Sequence, residues 1–356
     1  MAKSNLNSEL LKLAHELLKS LNSRQAEVLK RRYGLGTFEP QTLEAIGKVY
    51  KITRERVRQI ENSAFKSLKN LDNKPKEFFA FVDGVYELLE AQGGLMALEK
   101  LEKILSEKYP QISTYQINFF LRIDDRFNLV KDSNHFREFW SLKKVDTSKV
   151  INLLEKIEQE LLKKGEVKKL EELCDWAKKY YPSINPEILE NFLFLDKQIA
   201  SNPFKEYGLR HWELIEPRGA REKAYLIMKH LKKPLHFREV ARLINDRSTY
   251  LGKVADISIW QREIQPQTVH NELIKDKRFV LIGRGIYALA DWGYQPGTVK
   301  DIIIKILKQS KKPLSKEEII EKVKQQRLVK DNTIILNLSN RKLFKKNGRY
   351  YQLARR

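Results

Sequence analysis

Short aromatic-rich segments recur about every 70 residues in this chain, and this repeat constrains the fold more than any other feature of the sequence. Each segment alternates apolar and polar residues on both sides of a turn, which is typical of a β-hairpin. Asn347-Gly348 is the clearest of these turns. The four segments lead from Phe127 to Leu142, from Tyr207 through Trp212 to Leu214, from Phe279 to Trp292, and finally to Leu353.

Three helical patterns precede each hairpin segment. The first helices are expected near Phe79, Ser148, Arg221 and Thr298, the second near Leu95, Val167, His236 and Ser315, and the third near Thr114, Asn185, Gln267 and Asp331. The order of three helices and a hairpin predicts tandem winged-helix units at residues 78–145, 148–216, 218–294 and 297–356, in a mainly α fold with small β-hairpin wings. The alternative is a set of unrelated helical pairs with hairpins.

The first 74 residues contain shorter helices with clear capping residues. Asn22 stands three residues before Gln25, which is the spacing of a capping box. Thr42 and Thr53 can each cap a further helix, the second of which runs from Arg54 to about Lys69. The Lys-Pro-Lys segment at 74–76 then indicates a boundary. Residues 1–74 are therefore predicted to form a helix-turn-helix domain.

The helix that begins at Arg54 has two chemically different sides. At 100° per residue, one side holds Val57, Ile60, Ala64 and Leu68, and the other holds Arg54, Glu55, Arg58, Gln59, Asn62 and Lys66. Guanidinium, amide and carboxylate groups are those that pair with guanine, adenine and cytosine edges in the major groove. The pattern favours DNA recognition, and the alternative is an ordinary solvated helix surface.

Residues 8–70 resemble region 4 of primary-type bacterial sigma factors, the module that binds the promoter −35 element. The resemblance rests on three segments in order, Tyr33-Gly34-Leu35-Gly36, Thr42 to Gly47, and Thr53 to Glu61. It implies that Arg54, Glu55 and Gln59 face bases and that Arg56 and Arg58 support backbone contacts. We add Thr42 and Lys66 to the expected backbone contacts. The resemblance also implies that the helices from Leu10 to Tyr33 can meet the flap of RNA polymerase.

Residues 218–294 are similar to the HARE-type helix-turn-helix, a winged helix of the RNA polymerase delta subunit and of chromatin-linked proteins. The similar segments are Pro234 to Val240, Thr268 to Leu273, and Arg278 to Leu289. The similarity implies a connection between transcription machinery or modified DNA and effectors, and it brings no catalytic residues. The G-x-G-x-x-A pattern from Gly283 to Ala288 is not interpreted as a dinucleotide site, because the apolar alternation continues to Leu289 as in a hairpin.

Positive charge is concentrated at the C-terminal end. The whole chain carries a net charge of +22, and residues 297–356 contribute +12 of it, with 17 Lys plus Arg against 5 Asp plus Glu. Lys342, Lys345, Lys346 and Arg349 flank the Asn347-Gly348 turn, where a wing would follow a phosphate backbone, and Arg355-Arg356 extend the patch. The predicted partner is double-stranded DNA, and the alternative is a surface that only increases solubility.

Other classes of function lack the residues that they need. Cys174 is the only cysteine, so an internal disulfide or a thiolate zinc cluster is excluded, and His236 and His270 lack metal-ligand spacing. No apolar run approaches the length of a membrane span, so a cytoplasmic, nucleoid-associated protein without membrane contact is expected. We expect no cofactor, and we expect Trp140, Trp212 and Trp292 to close the cores of their units.

These patterns together predict a non-enzymatic transcription regulator that reads a −35-like element and uses its winged helices for further DNA or polymerase contacts. The alternative is an accessory subunit of bacterial RNA polymerase that acts through protein contacts without reading bases. A nucleic-acid-processing enzyme would need a phosphate-binding loop or clustered carboxylates, which the sequence does not show. Too few residues precede Ser8 to form a −10-melting module, so we expect a reading module joined to other domains rather than a stand-alone initiation factor.

Overall fold

The computed structural model describes residues 2–36, 39–110, 112–246, 263–310 and 312–354, with side chains from Glu9 onward. The described chain is mainly α, with small three-stranded antiparallel sheets. It packs as two compact units. The first contains residues 1–200 and 207–210, and the second contains residues 201–206 and 211–356.

Four helices form the N-terminal part, and their ends are set by local capping. They are α1 (Ala2–Leu18), α2 (Ser23–Tyr33), α3 (Leu43–Tyr50) and α4 (Arg54–Lys69). Asn22 and Gln25 form the predicted capping box, and the side-chain oxygens of Thr42 and Thr53 each accept an amide N–H at the start of α3 and α4. The predicted helix-turn-helix is therefore confirmed, together with the residues that begin its helices.

Two winged-helix units form the rest of the first compact unit, apart from the hairpin turn at residues 201–206. The first consists of α5 (Lys76–Ala91), β1 (Leu95–Ala97), α6 (Leu98–Lys108), α7 (Thr114–Ile123), β2 (Phe127–Val130) and β3 (Phe139–Leu142). The second consists of α8 (Thr147–Lys164), β4 (Lys168–Lys169), α9 (Leu170–Ala177), α10 (Pro186–Leu195), β5 (Ile199–Ser201) and β6 (Glu206–Leu209). One continuous apolar core extends from α1 to β3 and includes Leu17, Phe65, Phe119 and Trp140.

The second compact unit repeats the same order of elements twice. Its first repeat consists of α11 (Ala220–Leu231), β7 (Leu235–His236), α12 (Phe237–Asn245), α13 (Pro266–Lys275), β8 (Phe279–Gly283) and β9 (Ile286–Leu289). Its second repeat consists of α14 (Val299–Gln309), β10 (Leu314–Ser315), α15 (Lys316–Lys324), α16 (Asp331–Leu338), β11 (Phe344–Asn347) and β12 (Tyr350–Leu353).

A short strand precedes the second helix of every winged-helix unit, and the sequence did not predict it. The second helices were expected near Leu95, Val167, His236 and Ser315, and they begin one to three residues later, at Leu98, Leu170, Phe237 and Lys316. The short strands β1, β4, β7 and β10 lie directly before them. Each short strand pairs with the last strand of its unit, as Leu95 does with Ser141, so the last strand is central in the sheet. Two or three residues are too few for an alternating pattern to be visible.

The hairpin of residues 148–216 was placed wrongly by the sequence. Its strands are β5 and β6, whereas Trp212 to Leu214 follow the sheet and form no strand. The Asn202 side chain accepts the amide N–H groups of Phe204 and Glu206, and Lys205 has a left-handed φ of 58°. This polar turn lies upstream of the expected one. It forms without a neighbouring glycine, because an Asn side chain can itself stabilise a turn.

The tryptophans and the glycine-rich segment can be compared with their predictions, and the two histidines have partners inside their unit. Trp140 is buried and Trp292 packs partly against the core of its unit, whereas Trp212 is half-buried. The glycine-rich segment at 283–288 is the turn and second strand of the β8–β9 hairpin. His236 caps α12 by accepting the Arg238 amide, and a ring nitrogen of His270 lies 3.1 Å from the hydroxyl of Tyr287.

Candidate nucleic-acid interface

The predicted reading side of α4 is exposed along its whole length. The exposed residues are Arg54, Glu55, Arg56, Arg58, Gln59, Asn62 and Lys66. Val57, Ala64 and Leu68 on the other side are buried completely. The Thr53 side chain caps α4, which stabilises its first turn, and Arg54, Glu55 and Arg56 in that turn are exposed.

Two pairs of side chains connect successive turns of this exposed side. Arg58 donates to both carboxylate oxygens of Glu55 at 2.6 and 2.8 Å, and Arg56 Nη1 donates to Oε1 of Gln59 at 3.0 Å. The hydrogen bond from Arg58 lowers the pKa of Glu55, so the carboxylate is charged at neutral pH and can only accept. Exposed pairs of this kind contribute little stability, so DNA groups can replace them at small cost.

Thr42 and Lys66 occupy the two ends of the helix-turn-helix. Thr42 is exposed, and its Oγ1 accepts the Ala45 amide at 3.1 Å, which leaves the hydroxyl proton to donate to a phosphate. Lys66 lies twelve residues after Arg54, about 18 Å along the helix axis. That separation is suited to a contact with the DNA backbone rather than with the same base pairs.

A buried charged cluster lies on the opposite side of α4, and the sequence reasoning missed it. Glu61 is 5% exposed, and its Oε1 accepts from the Tyr33 hydroxyl at 2.6 Å and from Arg122 Nη1 at 2.9 Å. Burial and the Glu61 carboxylate raise the pKa of Tyr33, so its hydroxyl remains a donor. The spacing of Glu61 from Val57 and Leu68 places it on the apolar side of α4. This spacing could have indicated from the sequence that Glu61 is buried.

A second basic surface lies at the C-terminal hairpin. Lys342, Lys345, Lys346 and Arg349 are all exposed on or beside β11 and β12. An open groove of about 940 Å³ lies between α16 and this hairpin, and its lining includes Arg341, Lys345, Lys346 and Tyr351. The Lys346 ammonium lies 6.0 Å from the centre of the Tyr351 ring. Arg355 and Arg356 lie outside the described residues.

Within the described ranges, no group of three or more His, Cys, Asp or Glu side chains is placed to hold a metal ion. None of the helices described is both long and apolar enough to span a membrane.

The fold and the exposed surfaces define a helix-turn-helix protein with tandem winged-helix units. Residues 17–70 match the family model for sigma-70, region 4, which includes the end of α1 and all of α2, α3 and α4. This segment is therefore a DNA-binding helix-turn-helix of the kind involved in transcription, and such a domain is regulatory rather than catalytic. The HARE-type similarity of residues 218–294 stays a prediction beyond the winged-helix fold itself.

Proposed function

We propose that this protein is a transcription regulator that reads a −35-like promoter element with α4. The observation that carries the proposal is the exposed side of α4, where Arg54, Glu55 and Gln59 project from the first two turns of a capped helix within a region 4 match. In helix-turn-helix proteins the N-terminal residues of the second helix contact base edges in the major groove.

The three side chains offer complementary chemistry to three bases. Arg54 can donate to O6 and N7 of guanine, Gln59 can pair with N6 and N7 of adenine, and Glu55 can accept from N4 of cytosine. Each good pairing contributes about 1–3 kcal/mol of discrimination. Thr42, Arg56, Arg58 and Lys66 are assigned to the phosphates, which fix the position of the domain on the duplex.

The C-terminal surface is proposed to add affinity that does not depend on sequence. Lys342, Lys345, Lys346 and Arg349 are exposed around the Asn347-Gly348 turn, in the place where a wing follows the backbone. Six phosphate contacts would give a log–log dependence of the binding constant on salt with a slope of about −5. The proposed organisation has five domains, at residues 1–74, 78–145, 148–216, 218–294 and 297–356.

Association with RNA polymerase is the second part of the proposal, because region 4 domains are polymerase-associated. Leu10, Leu13 and Leu17 of α1 are buried in the core of the chain, as are Leu29 and Tyr33 of α2. A polymerase flap would therefore meet the polar and exposed side chains of these helices rather than their apolar side. An accessory subunit that makes only such protein contacts is the competing function.

The experiment compares full-length protein with its Arg54→Ala and Gln59→Ala variants on a TTGACA-like duplex and on a scrambled duplex. We expect each variant to lose about tenfold or more of the affinity ratio between the two duplexes. Lys163→Ala is the control, because it removes one exposed cation in the last turn of α8. Equal affinity of the wild type for both duplexes, with polymerase still co-purifying, would instead establish the accessory subunit.

A further inference from the structure

The third helix of a winged helix is the element that normally enters the major groove. In residues 78–145 this helix is α7, and it is covered on several sides. Ile117, Phe119, Phe120, Leu121 and Ile123 are each at most 2% exposed. These five side chains are core residues and are not available to DNA, whereas Tyr115 near the start of α7 is exposed.

The partners of α7 include the helix-turn-helix itself. The Phe119 ring lies 5.8 Å from the ring of Tyr33 in α2 and 6.1 Å from the ring of Phe65 in α4. The Arg122 guanidinium lies 4.1 Å from the centre of the Phe65 ring. Just beyond α7, Asp125 accepts from Lys69 at the end of α4 at 2.5 Å.

Arg122 also completes the buried charged cluster of α4. Its Nη1 donates to both Glu61 and the Tyr33 hydroxyl, so one guanidinium connects α7 to α4 and α2. Arg32 Nε lies 4.0 Å from the same Glu61 oxygen, but Arg122 is closer and donates a hydrogen bond to it. Loss of a hydrogen-bonded cation from a buried carboxylate is unfavourable, so the Arg122 pairing resists movement of α4 away from α7. Glu61 lies at the middle of α4 and Phe65 in its C-terminal half, and both follow the residues assigned to bases.

The distance between Glu61 and the base-reading residues makes the base contacts sensitive to small rotations of α4. Glu61 follows Arg54 by seven residues, about 10 Å along the axis, so a 10° swing of α4 displaces the Arg54 end by about 2 Å. Binding groups work only when held within about 0.5 Å and 10–20° of their productive geometry. Small rotations at Glu61 are therefore enough to disrupt hydrogen bonds at base edges.

The next winged helix uses its third helix in the same inward manner. Asn191 of α10 is fully buried and donates to the carbonyl oxygens of Gln92 and Leu95 in the preceding unit, at 2.9 and 2.7 Å. A Cβ atom added at Gly93 would lie 2.7 Å from a methyl carbon of Ile188, so α10 packs directly on this turn. Inward packing of the third helix is thus repeated within the first compact unit.

We infer that the winged helix at 78–145 serves as a support for the reading helix rather than as a DNA reader, and that Arg122 is a positioning residue for base discrimination. The inference rests on the proposed function of α4. It assigns to residues 78–145 an interaction surface whose partner is the region 4 domain of the same chain.

The test measures the affinity ratio between a TTGACA-like and a scrambled duplex for full-length Arg122→Gln, Arg122→Lys and Arg126→Gln. Arg126 is the matched control, because it has a similar exposure and its carboxylate partners Asp83 and Asp124 belong to residues 78–145. We expect the affinity ratio of Arg122→Gln to fall about tenfold, which is the effect of losing one base contact. The salt slope should not change, because no phosphate contact is removed.

Circular dichroism and thermal unfolding show whether each variant is folded at the temperature of the titration. Arg122→Lys keeps the charge but cannot lie flat on Phe65 while donating twice, so we expect a folded protein with a loss of about threefold. If Arg122→Gln does not fold, Arg122→Lys alone decides the outcome. A folded Arg122 variant that keeps the wild-type ratio overturns the inference, whereas a wild type without any preference overturns the proposed function first.

Discussion

The turn between α3 and α4 depends on a glycine, and replacing it tests the packing that orients the reading helix. A Cβ atom at Gly47 would lie 2.7 Å from the backbone oxygen of Ile52 and 3.5 Å from the amide nitrogen of Arg54. These are backbone atoms, so relief requires movement of the turn itself. Gly84 in α5 provides the matched comparison, because it is exposed and nothing lies within 4 Å of its added Cβ.

The same chemical change should therefore have opposite effects at the two sites. Alanine in place of a helical glycine gains about 1 kcal/mol of helix stability, so Gly84→Ala should be more stable than the wild type. At Gly47 the overpacking cost of about 1–3 kcal/mol opposes this gain. We expect Gly47→Ala to be destabilised by up to about 2 kcal/mol, or about 1–3 kcal/mol relative to Gly84→Ala.

Hydrogen exchange of the native protein is the suitable assay, because a chain of several domains does not unfold in one step. Peptides that cover α3 and α4 should exchange faster in Gly47→Ala, and peptides that cover α5 should exchange more slowly in Gly84→Ala. The base-discrimination ratio should fall only in Gly47→Ala. Increased protection of α3 and α4 in Gly47→Ala would refute the argument that Gly47 is required by close backbone approach.

Two further predictions concern the buried Asn191 and the basic C-terminal hairpin. Asn191→Ala should destabilise the local structure by about 2 kcal/mol, because two carbonyl oxygens lose buried donors, whereas the exposed Asn152→Ala should have almost no effect. Native-state hydrogen exchange should show faster exchange in peptides that cover α10 and residues 92–95 for Asn191→Ala only, and equal exchange in the two variants would contradict this role of Asn191. Replacing Lys342, Lys345, Lys346 and Arg349 together by alanine should reduce the magnitude of the log–log salt slope by about 3 to 4 in DNA titrations, and an unchanged slope would exclude these side chains from the phosphates.

The features that the sequence predicted are those with local causes. Thr53 begins α4 because its own hydroxyl bonds an amide three residues away, and the apolar period of α4 lies within sixteen residues. The buried cluster joins Glu61 to Arg122, which is 61 residues distant, and no local pattern connects them. The short strand β1 is likewise defined by its partner β3 rather than by its own three residues. The contacts that the sequence did not predict are therefore those between residues that are far apart along the chain.

The inward packing of α7 and α10 changes what the tandem repeat means for function. A winged helix is recognised by its order of elements, and that order is the same whether its third helix faces solvent or another domain. In the second compact unit, Gln267, Thr268 and Asn271 of α13 are exposed, in contrast to the buried positions of α7. Similar folds along one chain thus have different free surfaces, and fold alone does not assign DNA binding to each unit. The proposed function assigns base discrimination to α4 and its support, and electrostatic affinity to the C-terminal hairpin. Because the two sets of side chains are assigned to different parts of the DNA, base edges and phosphates, their effects on binding free energy should add.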